Sequence, residues 1–422
     1  HRSRRLAAEF QQHELGYERA ALGGDERPGS LRHGPVVYAR EARLAPMGGA
    51  YKSETVPDAL RFNSAFESGN LQRARLRPAG GFQPRHPRDQ ADQVYDLWCQ
   101  EDTHTNGHVQ WFYFSARNGP DQAGLRVRFN VVNMMKKDSL YNFGMRPCVW
   151  SKKAGGGWHR GADSICWHRN HRTYQRRKRG ARKHYYTLTF LYRFAHAEDE
   201  VFFAHCYPYT HSDLRAELAR LAADPRHADK LKRKELCRSL AGNRVDLLTV
   251  TAVTPDAQEL ARRPGVVVTA RVHPGETNAQ FMFRGLLSYL LADTAEAAAL
   301  RDAFVFKLVP MLNPDGVING NYRCSLAGVD LNRRYHRPSA QLHPEIFHLK
   351  RLLGQVRDQR SIFLYLDLHG HSRKKNVFLY GCDLAGEGEL DQRLAPRVFP
   401  RLLARTPSPH LGALHLALLP AP

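Results

Sequence analysis

The stretch Val266–Thr277, reading VVVTARVHPGET, limits the fold more than any other part of the chain. Val266, Val267 and Val268 open a β-branched apolar run of the kind that forms a buried strand. The run ends at Val272, and His273, Pro274, Gly275 and Glu276 then predict a tight turn. Proline fixes one φ, and glycine admits backbone angles that other residues avoid. Open α/β sheets place their ligands at the carboxyl ends of such strands. An imidazole and a carboxylate three residues apart at that point read as half of a zinc site. For H-x-x-E alone, an incidental turn is the competing reading, so the rest of the chain has to decide.

A length of 422 residues predicts two or three domains with sizeable cores. Hydrophobic residues make up 42% and aromatic residues 10%, which excludes a disordered chain. Lys and Arg number 63 against 41 Asp and Glu, a net charge of +22 that implies an acidic partner. Cys99, Cys148, Cys166, Cys206, Cys237, Cys324 and Cys382 are scattered and contain no C-x-x-C pair. Free thiols in a reducing compartment are therefore expected, and not a disulfide scaffold or zinc ribbon. No apolar run is long enough for a membrane span, so no membrane partner is expected. The chain starts at His1 without an apolar leader or an initiator Met, which reads as a fragment or a processed form.

Taken in order, residues 1–35 are an Arg-rich polar lead-in expected to be disordered. Residues 36–210 predict an all-β sandwich domain. Its strand signals are Val109–Arg117, Leu125–Met134, Tyr185–Phe194 and Val201–Tyr207, separated by Gly, Asn and Pro turns. The Trp and Tyr residues of this part are read as core and turn packing. Arg169 to Lys183 holds Arg169, Arg172, Arg176, Arg177, Lys178, Arg179, Arg182 and Lys183 with no acidic residue. It reads as a solvated loop, as a landing site for an acidic partner, or as a nuclear-localisation-like tract.

From residue 211 strands and helices alternate, which predicts an α/β domain with a mixed, mostly parallel sheet and flanking helices. Ser212 is expected to cap a helix from Asp213 to about Ala223. Strands are expected at Val245–Val250 and Phe304–Leu312, helices at Ala279–Leu291 and Pro344–Val356, and a further buried strand at Ile362–His369. This domain is taken to end at 403, leaving 404–422 as a divergent Pro/Leu-rich tail.

Four pieces fall at or near the predicted strand ends: His273-Pro274-Gly275-Glu276, Asn313-Pro314-Asp315-Gly316, Asn321–Cys324 with Asp330–Arg333, and Asp367-Leu368-His369-Gly370-His371. Two ligands close together and a third far downstream is a common way to build a catalytic zinc site with three protein ligands. The segments ARVHPGETNAQ, FKLVPMLNPDGVINGNYRCSLAGVDLNR and DLHGHSRKKNVFLYGC resemble the M14 zinc carboxypeptidases, and within them the cytosolic carboxypeptidases. HVQWFYFSARN and VVNMMKKDSLYNFGMRPCVWS resemble that subfamily's amino-terminal β-domain, so the likeness covers about Val36 to Leu403.

The resemblance implies a carboxypeptidase-like α/β domain with one Zn2+ per chain, held by His273, Glu276 and His369, with His371 as the rival third ligand. It implies Arg323 at the developing oxyanion and Asn332 with Arg333 on the substrate's terminal carboxylate, where a planar guanidinium pairs bidentately. Asp367 is a hypothetical partner of His369. Arg373, Lys374 and Lys375 become candidates for contacting glutamates beyond the cleavage site. The implied substrate is a polyglutamylated or acidic protein tail such as that of tubulin, in the cytosol and at the centriole or cilium, and nucleic acid is not expected. A zinc deacylase of the same superfamily, or a binding module for acidic tails, is the alternative.

The chain also departs from the resemblance. A general-base Glu in a downstream segment resembling Y-T-M-E-S is expected. Past His369 the only glutamates are Glu387 and Glu389, close behind the metal strand. A chain without that base is expected to be impaired in turnover.

Overall fold

The computed structural model describes residues 34–40, 53–78, 87–175, 180–383, 390–405 and 415–420. It comprises two compact units, His1–Gly370 and His371–Pro422. The expected lead-in lies outside the described residues up to position 33, as do Glu387 and Glu389.

The amino-terminal half of the first unit is built from β1 (Val36–Ala39), β2 (Arg61–Asn63), β3 (Leu71–Leu76), β4 (Gln93–Cys99), β5 (Tyr113–Arg117), β6 (Arg126–Met134), β7 (Cys148–Ser151), β8 (His159–Arg160), β9 (Asp163–Tyr174), β10 (Lys183–Arg193) and β11 (Glu200–Ala204). They form a six-stranded sheet, β1-β3-β4-β6-β10-β9, and a five-stranded sheet, β2-β5-β11-β7-β8. The ladders are antiparallel except β4 on β6. Inward side chains of both sheets meet in one aromatic core: Phe203 of β11 lies 5.0 Å from Phe129 of β6 and 5.3 Å from Phe114 of β5, centroid to centroid. Such tilted and offset rings add to the stabilisation from burial alone. The result is the expected sandwich.

Two expectations are corrected here. The strand expected to start at Val109 starts at Tyr113, because Trp111 is engaged by a loop: its carbonyl accepts from Asn70 Nδ2 and its indole donates to the Ser68 carbonyl. The basic tract from Arg169 is largely an antiparallel hairpin and not a loop, with Lys183 opposite Tyr174 and Arg169 opposite Tyr186. Its residues 176–179 lie outside the described residues.

The carboxyl-terminal half of the first unit runs α1 (His211–Ala223), β12 (Leu231–Arg238), β13 (Arg244–Val250), α2 (Ala257–Arg262), β14 (Gly265–Ala270), α3 (Thr277–Leu291), α4 (Ala295–Ala303), β15 (Val305–Val309), α5 (Pro314–Asn319), α6 (Pro344–Gln359) and β16 (Ile362–Leu368). Thr210, not Ser212, caps α1: its hydroxyl accepts from Asp213 N at 3.0 Å while the Asp213 carboxylate accepts from Thr210 N at 2.8 Å. This reciprocal pair satisfies two otherwise orphaned donors. Asn313-Pro314-Asp315-Gly316 is the start of a helix, because Asn313 Oδ1 accepts from Gly316 N and Pro314 fits the first helical turn.

The mixed sheet has the order β12-β13-β15-β14-β16. β14 runs parallel to both β15 and β16, while β13 is antiparallel to its neighbours β12 and β15. β14 lies between β15 and β16, and all six of its residues are buried. Phe283, Leu287, Leu290 and Leu291 of α3 cover one face with Val266 and Val268, and Ile346, Leu349, Leu352 and Val356 of α6 cover the other with Val245 and Val309. Helices on both faces are what a parallel core requires. Among the described residues β16 is an edge strand, and it leaves Phe363 66% exposed.

In the second unit β17 (Phe378–Asp383), α7 (Leu390–Arg405) and β18 (His415–Pro420) form a small unit in which β18 pairs in parallel with β17. The boundary expected at 403 is passed by α7, and part of the expected tail is strand.

Candidate active site

The site begins where β14 stops. Arg271, directly after it, takes a left-handed φ of +57°. Its fully buried guanidinium donates to the carbonyls of Pro274 (2.8 and 3.1 Å) and Tyr209 (3.2 Å). An arginine in this place costs desolvation and is tolerated because those carbonyls satisfy it. It ties down the turn that carries His273 and Glu276. Glu276 stands at the N-cap of α3 but makes no capping bond with its side chain, so the carboxylate is turned elsewhere.

It is turned to two imidazoles. Glu276 Oε1 lies 3.0 Å from His273 Nδ1, and Oε2 lies 2.9 Å from His369 Nδ1 and from Gly370 N. The parallel register of β14 and β16, with Ala270 opposite Leu368, brings the two histidines to the same sheet end. The ligand atoms of His273, Glu276 and His369 all lie within 4.8 Å of one another.

Each imidazole has a second carboxylate behind it. His273 Nε2 is 3.1 Å from Asp330 Oδ1, and His369 Nε2 is 2.8 Å from Asp367 Oδ2. Such partners fix ring orientation and raise ligand basicity. Burial alone would lower the pKa of His369, but the hydrogen bonds to Asp367 and Glu276 outweigh it and push the pKa up to about 10. His273 shifts upward in the same way against its burial, through Asp330 and Glu276. Burial opposes ionisation of Glu276, yet the bonds from His273 and His369 hold its pKa far below the usual carboxylate range.

The residues fit a zinc ion on charge and donor type. Glu276, Asp330 and Asp367 with Arg323 leave two negative charges, which a divalent cation balances in place of two imidazolium protons. Two histidines and one glutamate are an established catalytic zinc set.

Residues 215–393 match the family described as zinc carboxypeptidase, and residues 62–205 match the cytosolic carboxypeptidase N-terminal domain. The chain is 43% identical over 350 residues to cytosolic carboxypeptidase 2 of Xenopus tropicalis, covering 82% of this chain and 34% of that protein. It is 42% identical over 351 residues to cytosolic carboxypeptidase 3 of Mus musculus, covering 82% and 33%. The chain belongs to the M14 zinc carboxypeptidases. It spans about a third of the length of these two relatives. A metallo-carboxypeptidase from Burkholderia cenocepacia shares the fold, with a TM-score of 0.63 at 22% identity over 85% of this chain and 83% of that one.

Around the candidate M14 zinc site, Arg323 donates from Nε to Asp330 Oδ2 at 2.7 Å. One carboxylate thus links the cation expected at the oxyanion to a candidate ligand histidine, and the Arg323 side chain keeps 27% of its surface exposed. Burial would raise Asp330, but its bonds with His273 and Arg323 hold its pKa at about 2. Asp330 also accepts from Asn332 N at 3.0 Å, capping the short Leu331–Arg333 turn. Asn332 Nδ2 lies 3.4 Å from His369 Nε2, and the exposed Arg333 donates to the Asn332 carbonyl. His371 belongs to the second unit, where its Nδ1 accepts from the amides of Arg373 and Lys374. Arg373 and Lys374 are exposed there, and the Lys374 ammonium lies over the rings of Phe378 and Tyr380. Lys375 is exposed in the same stretch.

The sequence reading assigned no role to Asp330 or Arg271. Both carried a signal: a charge inside the valine run for Arg271, and a carboxylate two residues before Asn332 for Asp330.

Proposed function

We propose that this chain is the metallocarboxypeptidase part of a protein that removes glutamates from acidic polypeptide tails, polyglutamylated tubulin among them, in the cytosol and at centrioles or cilia. The observation that carries the peptidase reading is the Glu276 carboxylate held between His273 and His369, with Asp330 joining His273 to Arg323. The acidic substrate class is supported by the net charge of +22.

His273, Glu276 and His369 would hold one Zn2+ per chain. Bound zinc supplies Lewis acidity toward the scissile carbonyl and lowers the pKa of a coordinated water. The remaining work belongs to side chains. Asp330 and Asp367 orient the two imidazoles so that both Nδ1 atoms face one point. Arg323 offers a fixed positive charge to the oxygen that becomes anionic, and such preorganised charge is a large share of catalysis. Asn332 and Arg333 receive the terminal carboxylate of the substrate.

The proton from water needs an acceptor. Asp330 and Asp367 are each committed to a histidine and a second donor, and Glu276 to both histidines. We therefore propose that none of these carboxylates is the general base, and that the 422-residue chain turns over ~10²–10⁴-fold more slowly than a form extended by further sequence that supplies one. The same commitment favours a second reading, a module that grips acidic tails without cleaving them.

Elemental analysis together with hydrolysis of a polyglutamylated tail peptide tests both. One zinc per chain with cleavage by the extended form supports the peptidase. Binding without cleavage by either form supports the module, and absence of zinc from both sinks the ligand assignment.

A further inference from the structure

The loop carrying Arg323 is held by the amino-terminal sandwich. Asp102, between β4 and β5, is 3% exposed, and its carboxylate accepts three consecutive backbone amides: Tyr322 N at 2.7 Å on Oδ1, Arg323 N at 2.8 Å and Cys324 N at 2.7 Å on Oδ2. Its neighbours grip the same loop. Thr103 donates from N and Oγ1 to Asn321 Oδ1 at 3.1 and 3.0 Å, and His104 Nδ1 bonds the Leu326 carbonyl at 2.7 Å. Gly328 lets the loop close onto this segment: its φ is +71°, and a Cβ there would stand 2.7 Å from the His104 carbonyl oxygen. Charge-assisted bonds from three amides to one buried carboxylate are strong and directional. They set where the Arg323 backbone sits, and with it the start of the side chain that reaches Asp330.

We infer that Asp102 is a positioning residue of the active site, supplied by the amino-terminal domain, which holds Arg323 in register with Asp330 and the zinc ligand His273. The inference rests on the oxyanion role proposed for Arg323. Asp102, His108 and Cys324 also bring ligand atoms within 4.8 Å of one another. The three amides already account for the Asp102 carboxylate without a metal, and this alternative is an outcome of the test.

The variant is Asp102→Asn, whose amide group sets a donor against backbone N–H groups. Hydrogen exchange over residues 321–325 reads the positioning without reference to turnover. Exchange is expected to be slow in the unchanged chain and at least about tenfold faster in the variant. With glutamate-tailed peptide as substrate and the chain extended as above, kcat is expected to fall about 10–100-fold with KM nearly unchanged, since a misplaced group acts mainly in the transition state. Zinc content should stay at one per chain. Asp102→Glu keeps the charge and should recover part of both readouts, and it serves in place of Asp102→Asn should that variant fail to fold.

Unchanged exchange in the variants overturns the inference, and so does faster exchange with unchanged kcat. A fall in zinc from two per chain to one would instead assign Asp102, His108 and Cys324 to a metal. If the unchanged protein cleaves no peptide, the function proposed above fails, while the exchange data still decide whether Asp102 holds the loop.

Discussion

Gly275 packs flat against Tyr322: its N–H donates to the Tyr322 carbonyl at 2.9 Å, and a Cβ on Gly275 would stand 2.5 Å from the ring and 2.9 Å from Tyr322 Cα. The turn bearing two candidate zinc ligands and the loop bearing Arg323 therefore share one contact with no room for a methyl group. Gly275→Ala should cost about 1–3 kcal/mol, read as a lower urea midpoint. Gly285 in α3 is the control, because a Cβ there meets nothing within 4 Å. Gly285→Ala should stabilise by roughly 0.5–1 kcal/mol. Equal effects of the two substitutions would refute the contact.

Asp330 serves His273 and Arg323 through its two oxygens, so Asp330→Asn weakens both. Zinc affinity, measured by competition with a chromogenic chelator, should fall about 10–100-fold. Chelation itself should lower the Tm, because a ligand at 1,000 times its Kd contributes about 4 kcal/mol. An unchanged affinity in Asp330→Asn would mean that the His273–Asp330 bond does not matter once metal is bound.

Arg333 is exposed and among the described residues donates only to its neighbour's carbonyl, so its removal should leave stability within about 0.5 kcal/mol. Arg333→Ala should nonetheless lower kcat/KM by about 10–100-fold, the worth of charged hydrogen bonds to a carboxylate. The loss should be confined to substrates with a free terminal carboxylate. If an amidated peptide suffers equally, Arg333 does not read that group.

Glu345, at the start of α6, is 2% exposed, and its Oε2 has no hydrogen-bond partner among the described residues. Burial, joined by the nearby Asp315 charge, raises its pKa to about 7 against a backbone bond. The folded pKa lies above the unfolded one, so the stability this group allows is fully present below about pH 4.5 and is lost as pH rises through about 7. Glu345→Gln should then stabilise by roughly 2–4 kcal/mol at pH 8 and by little at pH 4. Urea unfolding of both proteins at the two pH values tests this, and a pH-independent difference would contradict it.

What could be read from the sequence follows the range of the interactions. β14 was legible because three consecutive valines report burial directly, and its closing turn because proline and glycine are local signals. The edge strand β12, Leu231–Arg238, was missed. Its sequence LKRKELCR is mostly charged, and charge suits an edge strand while hiding the strand pattern. His369 and His371 stand two positions apart in the same motif, so local sequence could not separate them. In the structure His369 bonds Glu276, while the Nδ1 of His371 accepts from the amides of its own turn. Asp102 could not be read at all, because its three partners lie 220 to 222 positions downstream and a lone aspartate before a Thr-His-Thr stretch has many ordinary uses.

That same reach across the chain bears on folding kinetics. Ser68 donates from its hydroxyl to Val317 O across 249 positions, and Asp102 waits for amides 220 positions away. A ribosome adding about 5–20 residues per second delivers the complete sandwich, which ends at Ala204, roughly 6–24 seconds before these partners. The sandwich can then act as a template for the Arg323 loop, while the candidate metal site waits longer still, because His369 follows β16 and arrives only after that loop.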